Sequence, residues 1–559
     1  MNDPLNDAYT HKINNSNYIF KVTIISVAGD TTRAQDIKPS AIKSLIIADK
    51  FTEFFQQGSI VIDNSFDVIE RDTPEEIQFN DPEYYNKSGN VSSNINAGFI
   101  FRGESRDILR IDIMPQLEGT AVESMGSEEG QRLFRMSYDF AIYSSEEITG
   151  DTPDQKFKKL YFWDLYYQLL LEKNVSFTTA TIPSFYDTLG NINTEGTPSG
   201  DDGVETGVAL MEFLKAAFPP DDGYPVYFSK TIPGSTSTYT SSDSEIDPAN
   251  IDWDIGGTKL FFSSPANFKA IDCVNYIQAR HVSNKDSDFD QCFLHLERYP
   301  RQFALKSIKQ YFDQAYNPER NLPGSLYVET VKIGGYTNED GRSAPEAYFV
   351  PAGGIYFERF GTVKSFSFDN MAGLYSQQKI VPHLVHSYDY QNKQFNIDIE
   401  RNGVEQSMQA FQKNYVNKMN SGDGSPAYPN FAPGQLRFTN KNIQNVFSLS
   451  QQDPDQRLNW GRNTFLYNSV FLNNLITFRL PGLTHRQAGC FIGIDRDGAI
   501  PSSKFDNKLL GIYMIVEIRH IFEGNEYYTD IHCVKTYNFK QLDDTFNDAE
   551  LKGLVSNGY

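Results

Sequence analysis

The sequence predicts a β-rich α+β protein, with strands at both ends and a mixed middle third. Three observations carry this expectation: period-two alternation before residue 146, helix-type periodicity and Pro stops between there and about residue 320, and a return to strand patterns from Asn468 onward. At 559 residues the chain is too long for one core, and roughly three or four domains are expected. With 39% hydrophobic and 14% aromatic residues, it is far too rich in core-forming side chains for a disordered chain.

YIFKVTIISV, Tyr18 to Val27, is β-branched and aromatic, and SAIKSLIIADKFTEFFQQGSIVID reads as two further strands around an irregular segment. After an acidic loop from Asp67 to Asn96, LRIDI sets Leu109, Ile111 and Ile113 against Arg110 and Asp112. LFRMSYDFAIY alternates again, with Phe134, Met136, Tyr138, Phe140 and Ile142 on one face. A small antiparallel barrel or sandwich ending near residue 146 accounts for these strands.

The period then changes. DTPDQKFKKLYFWDLYYQLLLEK offers Thr152 as N-cap, Pro153 at the first helical position and Gln155 for a capping box, and so predicts a helix. Further helices are expected at 203–218, stopped by Pro219 and Pro220, at 265–281 from Ser264 and Pro265, and at 302–316. A last one, GVEQSMQAFQKNYVNKMN, precedes the loop NSGDGSPAYPNFAPGQ, and strands follow in SVFLNNLITFRLPG and AGCFIGI. No repeat of short fixed period is present.

Fifty basic against 72 acidic residues give a net charge of -22, which disfavours general attraction to a phosphate backbone. Cys273, Cys292, Cys490 and Cys533 lack CxxC or framework spacing and read as ordinary reduced thiols rather than zinc ligands. The polar start MNDPLNDAYTHKINNSN has no signal-peptide pattern, and no run approaches the ~18 apolar residues of a membrane span. No cleaved signal and no membrane insertion are expected.

Two of the eight histidines lie in LLGIYMIVEIRHIFEGNEYYTDIHCVKTY, Leu509 to Tyr537. Gly524-Asn525 signals a two-residue hairpin turn. If Glu523 pairs with Glu526, Ile518 faces Ile531, Val516 faces Cys533, Arg519 faces Asp530 and Glu517 faces His532. His520 then sits opposite Thr529, and Cys533 and His532 point to opposite faces, which suits a structural hairpin better than a metal cluster. His383 and His386 have no HExxH and would diverge in a strand. IDRDG at Asp495 and Asp497 lacks the first and closing ligands of a calcium loop. Without GxxxxGK[ST], GxGxxG after a strand or GxSxG, phosphate cradling and a nucleophile elbow have no support. No catalytic, cofactor or metal residue is assigned, no cofactor is expected, and the chain is expected not to be an enzyme.

LITFRLPGLTHRQAGCFIGID followed by KLLGIYMIVEIRHIFEGNEYYTDIHCVKTY resembles the closing β-domain of contractile-tail hub proteins: the baseplate hub of T-even-like bacteriophages, the late-control D protein, and the hub part of type VI secretion spikes. The shared layout is a strand with a Pro-Gly break, then L-x-G-x-Y-x-[IV], a His before the turn, and a strand running into a last arm. KFKKLYFWDLYYQLLLEKNVSF and IDCVNYIQARHVSNKDSDFDQCFLHLERYPRQFALKSIKQYF are similar to T-even-like hubs in particular, and with the C-terminal segment cover about a third of the chain.

The resemblance implies two tail-tube-like antiparallel β-barrel domains with an inserted mixed α/β region. On that layout residues 1–146 hold the first barrel, 147–324 the mixed middle domain, 325–450 β segments and a helical insertion, 451–540 the C-terminal part of the second barrel, and 541–559 a tail. It implies a structural virion protein assembled in the host cytoplasm: a homotrimeric baseplate hub joining the sixfold tail tube protein to the threefold central spike protein, among other baseplate proteins. Sequence-specific nucleic-acid binding is not implied. The stretches near 185–260 and 335–440 have no counterpart in the family's pattern, and no lysozyme-like segment is evident. The alternatives are a tail-associated polysaccharide depolymerase working through aromatic platforms and paired carboxylates, and a receptor-binding adhesin.

Overall fold

The structure, a computed structural model, describes residues 10–13, 16–28, 31–51, 53–64, 106–116, 135–150, 152, 155–183, 203–219, 224, 226–228, 239–240, 253–256, 259–264, 267–281, 283, 292–297, 301–307, 328–332, 346–350, 365–370, 383–389, 394–400, 443–448, 474–484, 486–489, 491–495 and 511–535. The acidic loop of 67–96, the helix expected over 403–420, Cys490 and the IDRDG turn beyond Asp495 lie outside these residues.

Among the described residues eight strands come first: β1 (Thr10–Ile13), β2 (Ser16–Ala28), β3 (Thr31–Ile37), β4 (Ile42–Lys50), β5 (Gln57–Asp63), β6 (Arg106–Gln116), β7 (Met136–Thr149) and β8 (Lys156–Asp164). Side by side they run β2-β6-β7-β8-β5-β4, all antiparallel, with β1 and β3 both on β2. Phe20, Val22 and Ile24 of β2, Leu109, Ile111 and Ile113 of β6, and Met136, Tyr138 and Phe140 of β7 are buried together, as their alternation requires.

β8 corrects one expectation. KFKKLYFWD is a strand, with alternate residues from Lys158 to Asp164 buried, and the residues taken for a capping box form the β7–β8 turn, where Gln155 N donates to Thr152 O (3.0 Å) and Gly150 N to Gln155 O (2.8 Å). The sheet therefore continues past residue 146. The helix starts only at α1 (Leu165–Glu172), capped by Asp164, whose carboxylate accepts from Tyr166 N at 2.9 Å.

The middle region holds β9 (Val204–Glu205), α2 (Thr206–Ala217), β10 (Tyr227–Phe228), β11 (Tyr239–Thr240), β12 (Lys259–Leu260), α3 (Ala270–Gln278), β13 (Cys292–Glu297) and β14 (Gln302–Ser307). β12 pairs with β9, and the remaining strands form a sheet ordered β11-β10-β14-β13. Leu169 and Leu170 of α1, Leu210, Phe213 and Leu214 of α2, and Val274 and Ile277 of α3 share one core with Trp253, Phe303 and Leu305. The expected helices at 203–218 and 265–281 are present, the second shorter because Ser264 is not its cap: Ser264 Oγ accepts from Phe177 N (2.8 Å) and donates to Val175 O (2.9 Å). The helix expected at 302–316 is, where described, the strand β14. Gln302 to Lys306 are buried without a break, the mark of a strand covered on both faces rather than of a one-sided helix.

Ten strands follow: β15 (Val328–Lys332), β16 (Glu346–Val350), β17 (Ser365–Asn370), β18 (His383–Asp389), β19 (Gln394–Glu400), β20 (Ile443–Ser448), β21 (Asn474–Pro481), β22 (Phe491–Asp495), β23 (Gly511–Glu523) and β24 (Glu526–Lys535). β19-β18-β20 stand apart as a three-stranded sheet. The others join the N-terminal strands in one 15-stranded sheet, because residues 517–523 of β23 pair antiparallel with residues 44–50 of β4.

That sheet is curled. From β2 to β23 there are six strand spacings through β6, β7, β8, β5 and β4, about 29 Å if flat. Yet the rings of Phe20 and Phe522 lie 5.3 Å apart, and those of Tyr18 and Tyr527 5.8 Å apart. The apolar face must wrap round on itself, with Phe522 and Tyr527 of the last hairpin inside the N-terminal core.

Candidate functional site

Among the described residues three places concentrate polar chemistry in the interior: the seam where the C-terminal hairpin meets β4, a network around Arg301, and a cluster in the middle region.

In the hairpin, Glu523 pairs with Glu526, Ile518 with Ile531, Arg519 with Asp530, Glu517 with His532 and His520 with Thr529, as the turn Gly524-Asn525 predicts. One pairing differs: Cys533 faces Ile515, not Val516, because the register shifts between Ile515 and Glu517. Val516 is the extra residue of a bulge and its carbonyl accepts from Phe51 N at 2.8 Å. The bulge sits where β23 passes from pairing with β22 to pairing with β4.

His520 is buried with both nitrogens engaged: Nε2 lies 3.1 Å from Arg486 O and Nδ1 2.8 Å from Tyr527 Oη. A carbonyl can only accept, so Nε2–H donates to it and Nδ1 is left to accept from the tyrosine hydroxyl. No lone pair is left for a metal. Arg486, also buried, donates to Thr529 Oγ1 at 2.6 Å. Buried Asp49 accepts from Ala488 N and Gln56 Nε2, both at 3.2 Å. Cys533 is buried on the apolar face and His532 lies on the other, near Thr477 Oγ1 (3.4 Å). His520 thus ties the hairpin to the 486–489 segment, which Asp49 of β4 also holds. His383 and His386 both lie within β18.

A second polar network ties the sheet to the middle region. Arg301 pairs through Nη2 with the Asp164 carboxylate, donates to Gln56 Oε1 at 2.9 Å, and stands over the Tyr138 ring at 5.1 Å. Burial pushes its guanidinium down to about 10. Gln56 in turn donates to Leu296 O at 3.2 Å, so the residue just before β5 meets β8 and β13 at one cation.

The middle cluster has no signal in the sequence. Asp254, His281 and Cys292, all buried, bring one donor atom each to within 4.8 Å of one another. Asp254 follows Trp253, which bridges to Leu305 of β14; His281 lies three residues past the end of α3; Cys292 opens β13. Ser283 Oγ donates to Asp254 Oδ2, Gly256 N donates to Asp254 Oδ1 at 2.8 Å, and Thr206 Oγ1, at the head of α2, lies 3.0 Å from His281 Nδ1. Gly256 has φ +92, and a Cβ there would lie 2.5 Å from Thr206 Oγ1, so only glycine closes the loop over the cluster. The three residues share no sequence motif, and only the fold assembles them.

The alternative of a glycan-cleaving enzyme calls for exposed aromatics beside carboxylates. Tyr143, 47% exposed, stacks on Trp163 at 4.0 Å on the outer face of β7–β8, with Glu146 nearby accepting from Tyr161 Oη at 2.9 Å. Most of the described aromatics fill the two cores instead.

No protein-family model matches the chain, and no curated protein matches it. Among solved structures it overlaps a tail protein from Neisseria meningitidis MC58, with TM-score 0.41 and 8% identity over 92% of this chain and 99% of that one. The 43 kDa tail protein of prophage MuSo2 from Shewanella oneidensis gives 0.39 and 7%, over 92% and 98%. Prophage tail protein gp18 from Listeria monocytogenes EGD-e gives 0.35 and 9%, over 96% and 99%. Overlaps this loose, at identities this low, assign no function to the chain.

Proposed function

We propose that the chain is a structural protein of a bacteriophage tail: a baseplate hub that assembles as a homotrimer, adapts the sixfold tail tube to the threefold central spike, and lines part of the channel for genome ejection. The observation that carries this is the seam. The segment resembling hub closing domains pairs edge to edge with β4, so that sequence from both ends builds one curled, largely antiparallel sheet. In a hub with two tube-like barrels per chain, such a join would hold the N- and C-terminal strands side by side.

Symmetry supplies the physical reason for the role. Two similar barrels in each of three subunits present six similar edges to a sixfold ring while keeping a threefold face for the spike. Exposed strand edges can extend their pairing into the next ring. A net charge of -22 per chain, tripled in the assembly and partly facing a lumen, would repel phosphates and let a genome pass without sticking. Among the described residues no helix is long and apolar enough to cross a membrane.

The test is reconstitution with the cognate tube and spike proteins. The adaptor role predicts a complex containing all three, with the hub required to join the other two. Tube and spike that associate equally well without it would refute the role, and turnover of host polysaccharide by the purified chain would favour the depolymerase.

A further inference from the structure

We infer that Asp254, His281 and Cys292 form a structural binding site for one divalent transition-metal ion, zinc by donor chemistry, independent of the proposed tail role. The three donors are a carboxylate, an imidazole and a thiol, the mixed O/N/S set that suits a borderline-soft ion. With the thiol and carboxyl ionised they carry two negative charges, so a doubly charged cation leaves the buried site neutral.

His281 points to the ion. Its Nδ1 is held by Thr206 at 3.0 Å, while Nε2, fully buried, lies 3.3 Å from Asp254 Oδ1 without making an aligned hydrogen bond. If Nδ1–H donates to Thr206, Nε2 turns a lone pair toward a carboxylate, a repulsive arrangement that a cation between them converts into two ligand bonds. The surroundings are those of a metal ligand set: Ser283 orients the second carboxylate oxygen, Thr206 orients the imidazole, and Gly256 closes the loop. Tetrahedral zinc, with bonds of about 2.0–2.3 Å, needs donors roughly 3.3–3.8 Å apart. The His281–Asp254 pair has that spacing, and the 4.8 Å outer limit leaves about 1 Å to be drawn in.

The same three residue types could serve a cysteine nucleophile, but the geometry disfavours it. In such a relay the carboxylate engages the imidazole nitrogen remote from the sulfur, and the sulfur must reach a substrate. Here Nδ1 is occupied by Thr206, Asp254 is at Nε2, and Cys292 is 2% exposed. The site instead fastens the Asp254 loop, the end of α3 and the start of β13 to one another.

The experiment uses the full chain, stripped with chelator, reloaded with Zn²⁺ or Co²⁺ and gel-filtered. Elemental analysis should find about one zinc per chain. The cobalt form should show a thiolate-to-metal charge-transfer band that zinc abolishes. Cys292→Ser should lose the band and at least tenfold in zinc affinity, and His281→Gln should lower affinity while keeping the native elution volume. Because the cobalt spectrum is read on the unmutated chain, a variant that fails to fold does not decide the matter. A reloaded chain without zinc, a cobalt form lacking a thiolate band, or an undiminished band in Cys292→Ser would each overturn the site.

Discussion

Replacing Phe522 by Ala probes the join between the two ends of the chain. Phe522 is 4% exposed, stacks on Tyr527 at 4.0 Å and meets Phe20 edge-on at 5.3 Å. Returning its side chain to water costs about 1.5–3 kcal/mol, and the cavity left in the buried core raises the total to about 3–5 kcal/mol. The more pointed quantity is the coupling to Phe20, since an edge-to-face aromatic pair carries about 0.5–1.5 kcal/mol beyond its area. A double-mutant cycle of Phe20→Ala and Phe522→Ala, followed by urea unfolding with far-ultraviolet circular dichroism, measures it. If β23–β24 belonged to a separate C-terminal unit, the two substitutions would add. Additivity within about 0.3 kcal/mol, or a Phe522→Ala loss under about 1 kcal/mol, would refute the curled, continuous sheet.

Three other outcomes follow from the geometry. Arg301→Met strands the buried Asp164 carboxylate and should cost about 3–5 kcal/mol; adding Asp164→Asn should recover a part of that, a gain visible in the unfolding midpoint. Gly482→Ala puts a Cβ 2.2 Å from the buried Tyr527 ring and should lower stability by about 1–3 kcal/mol, whereas Gly524→Ala, at φ +59 in open space, should cost only about 1 kcal/mol; the reverse order would contradict the packing of the seam. Burial pushes the Tyr18 phenol up from 10.0 to about 12, so the folded state holds that proton more tightly than the unfolded chain. Its contribution is complete below pH 10 and is lost as pH rises to about 12, roughly 2–3 kcal/mol in all; Tyr18→Phe should flatten that part of an alkaline stability curve.

The parts of the fold that were legible are those set by local chemistry. Gly524-Asn525 fixes a turn, and from it the pairings Ile518/Ile531 and Arg519/Asp530 follow without tertiary information. The bulge at Val516 was not legible, because it arises where β23 changes partners from β22 to β4, and β4 is remote from it in sequence. Thr152, Pro153 and Gln155 suit a helix start and a tight turn equally; what decides is the neighbours β5 and β7, which make strand pairing the better use of KFKKLYFWD. Gln302 to Lys306 show how continuous burial erases the period that tells strand from helix. The Asp254–His281–Cys292 cluster had no spacing signal, since its members come from three elements joined only in space.

The hub role turns on oligomeric state and symmetry. Light scattering of the purified full chain, with electron microscopy of the same sample, tests it most directly. The account predicts a particle of three chains, threefold with a central hole and a ring of six similar lobes. A compact monomer that stays monomeric when the cognate spike protein is added would contradict it.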